Sequence, residues 1–373
     1  MLYKIFWQRS KWIILFASLV IFASFAFSSL SIVYNWQDSR NFYQSEAFKK
    51  DFDSYPKNYV KDENKYRASK HQAAIRQKYS DRQLMVHSKN SPLYTTQTQI
   101  FNDSPSNVFY FQTNVQLGQA ERVVLFLLLG FAVFFLDLKL HFNQFLFGLG
   151  IKRSKIFWQK VLFYTGILFI VTLLSNYCAL GIIGANIPDK YLDFTCTQFL
   201  YSGFSCTMSY LFIFIIGLLF GVGLGNLFFA PLSLVPLLFY FVFYQEKLSY
   251  LKEEWFDTWQ LLPSFYGSHP MLIFFMILAS LSLLVLGCYS FNRTSLENSS
   301  EFLLVKKLRL PIFLLMIASS VYLGVGTSFL TLKTWQDLKV FIGITLFCTV
   351  IATIFVYFQT MLKWWQRYRE NKW

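Results

Sequence analysis

From Trp12 to Tyr34 the chain runs 23 residues without a charge, and further apolar stretches of similar length recur to its end. About 20 apolar residues in a helix cross the ~30 Å hydrocarbon core of a bilayer. Inside that core every backbone polar group must be satisfied within the protein, which leaves helices or closed barrels. The later stretches are Val123–Leu138, Val161–Ile183, Phe204–Leu224, Phe228–Tyr244, Met271–Phe291, Pro311–Leu332 and Val340–Leu362. Only 14% of the residues are charged, against roughly 25% in soluble domains, so water alone would not wet this surface. The expected fold class is an all-α polytopic membrane protein of about eight transmembrane helices. A small α+β extracytoplasmic domain is expected between helices one and two.

The first stretch outlasts the apolar core of a signal peptide, usually 7–15 residues. Although Ala26-Phe27-Ser28 loosely resembles a cleavage site, it reads as a retained anchor behind a short basic amphipathic start. Phe194–Gln245 is uncharged for 52 residues, too many for one helix, and Gly221, Gly223, Gly225 and Asn226 supply a break. Charge decides between one span and two. With eight spans and an inner N-terminus, the inner segments hold Lys4, Arg9 and Lys11, then Lys139, Lys152, Arg153, Lys155 and Lys160. They also hold Arg293, Lys306, Lys307 and Arg309, and finally Lys363, Arg367, Arg369 and Lys372. The short outer loops keep only Lys190, Lys247, Lys252, Lys333 and Lys339. Merging the doubtful pair would put the last two basic clusters outside and break the positive-inside bias. Both termini are therefore expected in the cytoplasm. The net charge of +14 is read as contact with membrane lipid and not with nucleic acid.

The chain divides into residues 1–34, an amphipathic segment with the first span, and 35–120, the extracytoplasmic domain. Residues 121–291 carry spans two to six, and 292–373 a cytoplasmic linker with spans seven and eight. The outer block reads as helical over Asp38–Asn90, interrupted at Pro56. Alternating segments around Thr95–Phe101 and Val108–Gln116 flank the turn signal Asn102-Asp103-Ser104-Pro105.

Ionisable residues within spans are costly and mark ion or proton paths. Asp137 is the one found here, near an inner end, and it reads as an interfacial residue with Lys139 snorkelling beside it. The histidines His71, His87, His141 and His269 form no HExxH pair, and neither GxSxG nor GxxxxGK[ST] occurs. Glu253-Glu254 reads as a solvated face. No enzyme is expected in this chain, and no catalytic or metal-ligating residue is assigned. Cys178, Cys196, Cys206, Cys288 and Cys348 read as buried or interfacial thiols without metal-ligand spacing; a Cys196–Cys206 pairing has no specific signal.

The stretch Asp137–Lys160, DLKLHFNQFLFGLGIKRSKIFWQK, links the second and third spans. His141–Leu149 has room for about two helical turns, and Phe142, Phe145, Leu146 and Leu149 recur at three- and four-residue steps on one face. Gly148 and Gly150 stop the helix, and Lys152, Arg153 and Lys155 follow. Two readings stay open from these residues: a lever that docks in a groove of a cytoplasmic partner, or an amphipathic loop resting on the inner leaflet.

The run from Leu149 to Lys160 resembles the cytoplasmic loop of type-two ABC exporter permeases. Arg153, Ile156, Phe157 and Lys160 fall where that family has an Arg, an apolar pair and a Lys opening the next span. The order of parts is similar too: an amphipathic start, a coupling helix between spans two and three, a short inner link between spans four and five, and an outer segment, here Glu246–Pro270. The outer block is longer than in the simplest members, and spans seven and eight are additional. The resemblance implies a homo- or heterodimer of permeases driven by a cytoplasmic ABC ATPase. ATP and Mg would bind on that partner, with no cofactor in this chain. Phe142, Asn143, Phe145, Leu146 and Leu149 would dock in the ATPase, steadied by Lys152, Arg153 and Lys155. The cargo implied is amphipathic, such as a peptide, lipid or drug. The alternative from another class is a membrane sensor or immunity protein whose outer domain binds an external peptide; a third is an intramembrane enzyme acting on a lipid-linked substrate.

Gly217, Gly221 and Gly225 repeat every four residues in span four, a spacing that lets helices approach closely. Trp364, Trp365 and Tyr368, with Lys363 and Arg367, form an interfacial anchor. The residue usage fits the cytoplasmic membrane of a low-GC bacterium.

Overall fold

The computed structural model describes residues 2–87, 120–193, 196–226, 230–234, 270–294, 303–304, 309–310, 312–314, 316–318 and 335–370. Helix α1 covers Leu2–Gln44. At 1.5 Å per residue it is about 64 Å long, roughly twice a bilayer core. Neither glycine nor proline interrupts it. Leu2, Phe6, Ser10, Ala17, Ile21, Phe25, Ser29, Val33 and Trp36 form its buried stripe.

Beyond the apolar part of α1 lies a helical layer of α2 (Glu46–Ser54), a 3-10 turn (Pro56–Asn58), α3 (Glu63–Ala68) and α4 (Gln72–Leu84). The Ser45 hydroxyl caps α2 by accepting from the Phe48 amide at 3.2 Å. Aromatic side chains make the core of the layer. Phe52 is fully buried, stacked on Tyr59 at 4.7 Å and set edge-on to Tyr66 and Tyr79. Arg76 and the Tyr66 hydroxyl both donate to Asp53.

The remaining helices are α5 (Ala120–Lys139), the short α6 (Phe142–Gly148), α7 (Arg153–Asn186), α8 (Cys196–Gly223), α9 (Pro270–Asn292) and α10 (Trp335–Glu370). Among the described residues four helices are long and apolar enough to cross a membrane, and α5 with α6 makes a fifth if that bent pair is one span. This is an α-helical, membrane-embedded architecture. Phe228–Tyr244, Pro311–Leu332, the outer segment before Pro270 and the two alternating segments before Ala120 lie wholly or largely outside the described residues.

Cross-helix contacts fix the directions. Helices α5 and α8 run parallel, since Phe126 stacks on Tyr210 at 4.8 Å while Gly130 faces Phe214, and Gly217 and Gly221 face Leu127 and Phe131. A Cβ built on any of these three glycines would collide with a backbone carbonyl of the opposite helix. Helix α9 is parallel to α8, with Met276 beside Ser209 and Gly287 beside Leu219. Helices α1 and α7 run the other way, Phe6 packing on Phe163 at 6.0 Å and Trp36 on Tyr191 at 5.4 Å. The central helix is α8, which packs against α5, α7 and α9 and is more buried within the protein than α1, α7 or α9.

The helical layer is fastened to one end of this bundle. Trp36 donates from Nε1 to Leu84 O at 2.8 Å, and the Tyr191 hydroxyl donates to Asp81 at 3.0 Å. Strands β1 (Val86–His87) and β2 (Leu192–Asp193) pair in parallel, Val86 opposite Leu192. The opposite, basic end carries Arg9, α6, Lys152, Arg153, Lys155 and Arg293.

Candidate coupling site at the basic end

Helix α5 leaves the bundle at Lys139, and α6 turns away from it by 72°. His141 makes the corner in the left-handed region, with φ at 56°, and Gly150 closes the far side with φ at 68°. The expected turn of helix over His141–Leu149 is therefore present as Phe142–Gly148, held between two left-handed residues.

The apolar stripe expected to face a partner divides between two surfaces. Leu146 is fully buried and Asn143 nearly so, both turned into the bundle, while Phe145 is 54% exposed. Phe142 is half-buried and stacked on Phe145 at 5.6 Å, and Leu149 is half-buried against the core. A 100° step per residue puts adjacent positions on different faces, and a helix pinned at both ends must spend one face on its own protein. Of the expected docking set, Leu146 and Asn143 are therefore turned into this chain's own bundle, and Phe145 is left exposed.

Arg153 is also engaged within the chain. Its guanidinium lies 4.4 Å over Phe147 and donates to Thr294 O at 2.9 Å and Asn292 O at 3.3 Å, tying the start of α7 to the end of α9. Ile156 and Phe157 are fully buried, Phe157 stacking on Phe134 and touching Phe291. Lys152 and Lys155 are exposed, as are Gln144 and Phe145.

Asp137 is not an interfacial residue leaning on Lys139. It is 6% exposed and forms ion pairs with Arg9 of α1 and Lys160 of α7. Lys160 is 1% exposed, its ammonium 4.3 Å over the Phe134 ring. Arg9 caps the Phe142 ring at 3.7 Å, and the Tyr164 hydroxyl donates to Ser10 at 3.0 Å. One carboxylate thus joins three helices, and Arg9 carries the connection to α6. Two cations around one acid leave the cluster with a net charge of +1.

Sequence reading gave neither Arg9 nor Lys160 a role at this site. The available signal was the lysine itself: Lys160 lies between Phe157-Trp158 and Val161, with no acid nearby in sequence, so it needed a carboxylate from another helix. Of the glycine set, Gly217 and Gly221 pack against α5 within this chain. Gly225 lies past the end of α8 and is buried. Cys178, Cys196, Cys206 and Cys288 are free thiols. Among the described residues no three His, Cys, Asp or Glu side chains come together. The chain matches no protein-family model, no curated protein and no solved structure.

Proposed function

We propose that the chain is the membrane subunit of an ATP-driven exporter, moving an amphipathic molecule by energy supplied from a separate cytoplasmic ATPase. The observation that carries this is α6: a rigid two-turn helix, bent 72° from α5 and wired by side chains to α1, α7 and α9. A push on its exposed side would reach four long helices without compressing anything soft. Phe145 supplies an apolar knob, and Lys152 and Lys155 supply charge for an acidic rim.

The helix directions support the eight-span reading. In that reading the uncharged Phe228–Tyr244 stretch is the span that returns between the parallel α8 and α9. With the basic end in the cytoplasm, the α2–α4 layer stands outside, as a domain fastened to the outer ends of α1 and α7.

The test is purification of the intact chain from mild detergent with its ATPase. Phe145→Glu combined with Lys152→Glu and Lys155→Glu should keep a monodisperse, folded protein yet lose the co-purifying ATP hydrolysis. These residues replace Arg153 and Leu146 as targets, since changing either of those would also disturb packing. An unchanged yield of ATPase with the triple variant would refute docking at α6.

A further inference from the structure

Asn143 stands where an apolar side chain would fit better. Each residue of α6 advances about 100° around the helix axis, which puts Asn143 between Leu146 and Phe147 on the face turned to the bundle. Leu146 is fully buried there, and Phe147 packs edge-on against Phe291 of α9 at 5.6 Å. Asn143 is 5% exposed, and its Oδ1 is buried without a hydrogen-bond partner among the described residues. An amide left unpaired opposes the packing that buries it.

The contacts that seat α6 are non-directional. Besides the buried Leu146 they are two guanidinium clamps. Arg9, paired with Asp137, lies 3.7 Å over Phe142, and Arg153, bonded to Thr294 O, lies 4.4 Å over Phe147. Apolar burial and a cation on a ring face both tolerate sliding. The flanks can take up a rotation. Gly150 has φ at 68°, which costs a glycine little, and His141 at 56° is the one non-glycine residue with positive φ among the described residues. Such backbone conformations gather at switch regions.

We propose that α6 is a clutch with two seats on its own bundle. In the seat seen in the structure, Leu146 is buried and Phe145 is presented outward. A roll of one residue step, about 100°, brings Phe145 to the position of Leu146, Phe142 to that of Asn143, and Asn143 to that of the exposed Gln144. The second seat gives the amide to water and buries two aromatic rings, but it loses the guanidinium clamps. These gains and losses are of similar size, so neither seat excludes the other. In the second seat Phe145 is withdrawn, and a partner has no apolar knob to grip. That an ATPase holds the first seat rests on the exporter reading; the two seats do not.

Fluorine NMR of the intact purified chain without ATPase tests this, with a para-fluorine on the Phe145 ring as the only fluorine present. The change in its resonance between H2O and D2O reports exposure. The parent should show an exposed and a shielded population. Asn143→Leu takes the unpaired amide out of the first seat and should raise the exposed-to-shielded ratio about tenfold, equivalent to ~1.4 kcal/mol. Asn143→Asp, whose carboxylate is costly to bury, should move the ratio the other way. If the Asp variant does not fold, Asn143→Leu against the parent decides alone. A fluorine fully exposed in every chain overturns the proposal, and so does a ratio that Asn143→Leu leaves unchanged or lowers. Adding the ATPase should then raise the exposed fraction; failure of that step alone would refute docking at α6 and leave the two seats standing.

Discussion

Asp137→Asn removes the one carboxylate that Arg9 and Lys160 share while keeping its size and shape. Lys160 is 1% exposed, so its ammonium would be left in the interior with only the Phe134 ring beneath it. Breaking a buried pair by removing one partner costs about 3–5 kcal/mol, because the other charge stays buried. Arg9, whose side chain is 28% exposed, adds less, since water screens what remains. The expected loss of about 3–5 kcal/mol should lower the midpoint of thermal unfolding in detergent by roughly 5–15 °C. The loss of the monodisperse chromatographic peak with heating is a suitable readout. The double variant Asp137→Asn, Lys160→Met separates charge from packing. It should recover most of the loss, because an uncharged side chain of similar length then fills the same space. An unchanged midpoint in Asp137→Asn would mean that headgroups and water, not Arg9 and Lys160, hold this residue. A double variant no more stable than the single would show that the loss came from geometry and not from an orphaned charge.

Gly217→Val or Gly221→Val should destabilise the bundle by ~1–3 kcal/mol or more, since each new Cβ meets a backbone carbonyl of α5, whereas Gly166→Ala meets nothing within 4 Å and should be neutral in the same thermal assay. Trp36→Phe deletes the donor to Leu84 O and should cost ~1 kcal/mol, read as faster hydrogen exchange of the amides between Arg82 and His87. Tyr66 is buried and donates to Asp53, which pushes its hydroxyl from 10.0 up to about 12. The unfolded chain therefore gives up this proton first, and the α2–α4 layer should lose stability as pH rises through that window. Tyr66→Phe should flatten the alkaline loss measured by circular dichroism, and an identical slope in the variant would refute the assignment.

The features that sequence made legible are those that depend on one segment at a time. Apolar length gave α1, α5, α7, α8 and α9, and Gly148 and Gly150 gave the end of α6, because a hydrocarbon core tests each helix for length and a glycine marks where one stops. The residues that join segments were not legible in the same way. Asp137 read as interfacial because Lys139 is its neighbour in sequence. Its true partners come from α1 and α7 and reach it only because α1 and α7 run antiparallel to α5. The α6 stripe misled for a related reason. Periodicity shows that Phe142, Phe145, Leu146 and Leu149 share a side of a helix, but it does not say how much of that side the protein keeps for itself. Leu146 fills the core, and only Phe145 is left standing out.

Arg122 sharpens the point. Placed by sequence, it is the last charge before an apolar run, the position where a snorkelling cation is ordinary. What draws it inward is on another helix: Ser24 and Ser28, one turn apart on α1, offer acceptors to α5 where the surrounding side chains are aromatic. A snorkelling arginine would have been free to reach headgroups and water, yet this one is 3% exposed and bonded to hydroxyls and a carbonyl. The Glu121 carboxylate at 4.0 Å completes its partners, so both ends of the α1–α5 seam join cation and acid. The basic end shares one acid between two cations, whereas the outer end pairs one acid with one cation and adds the Ser24 and Ser28 hydroxyls.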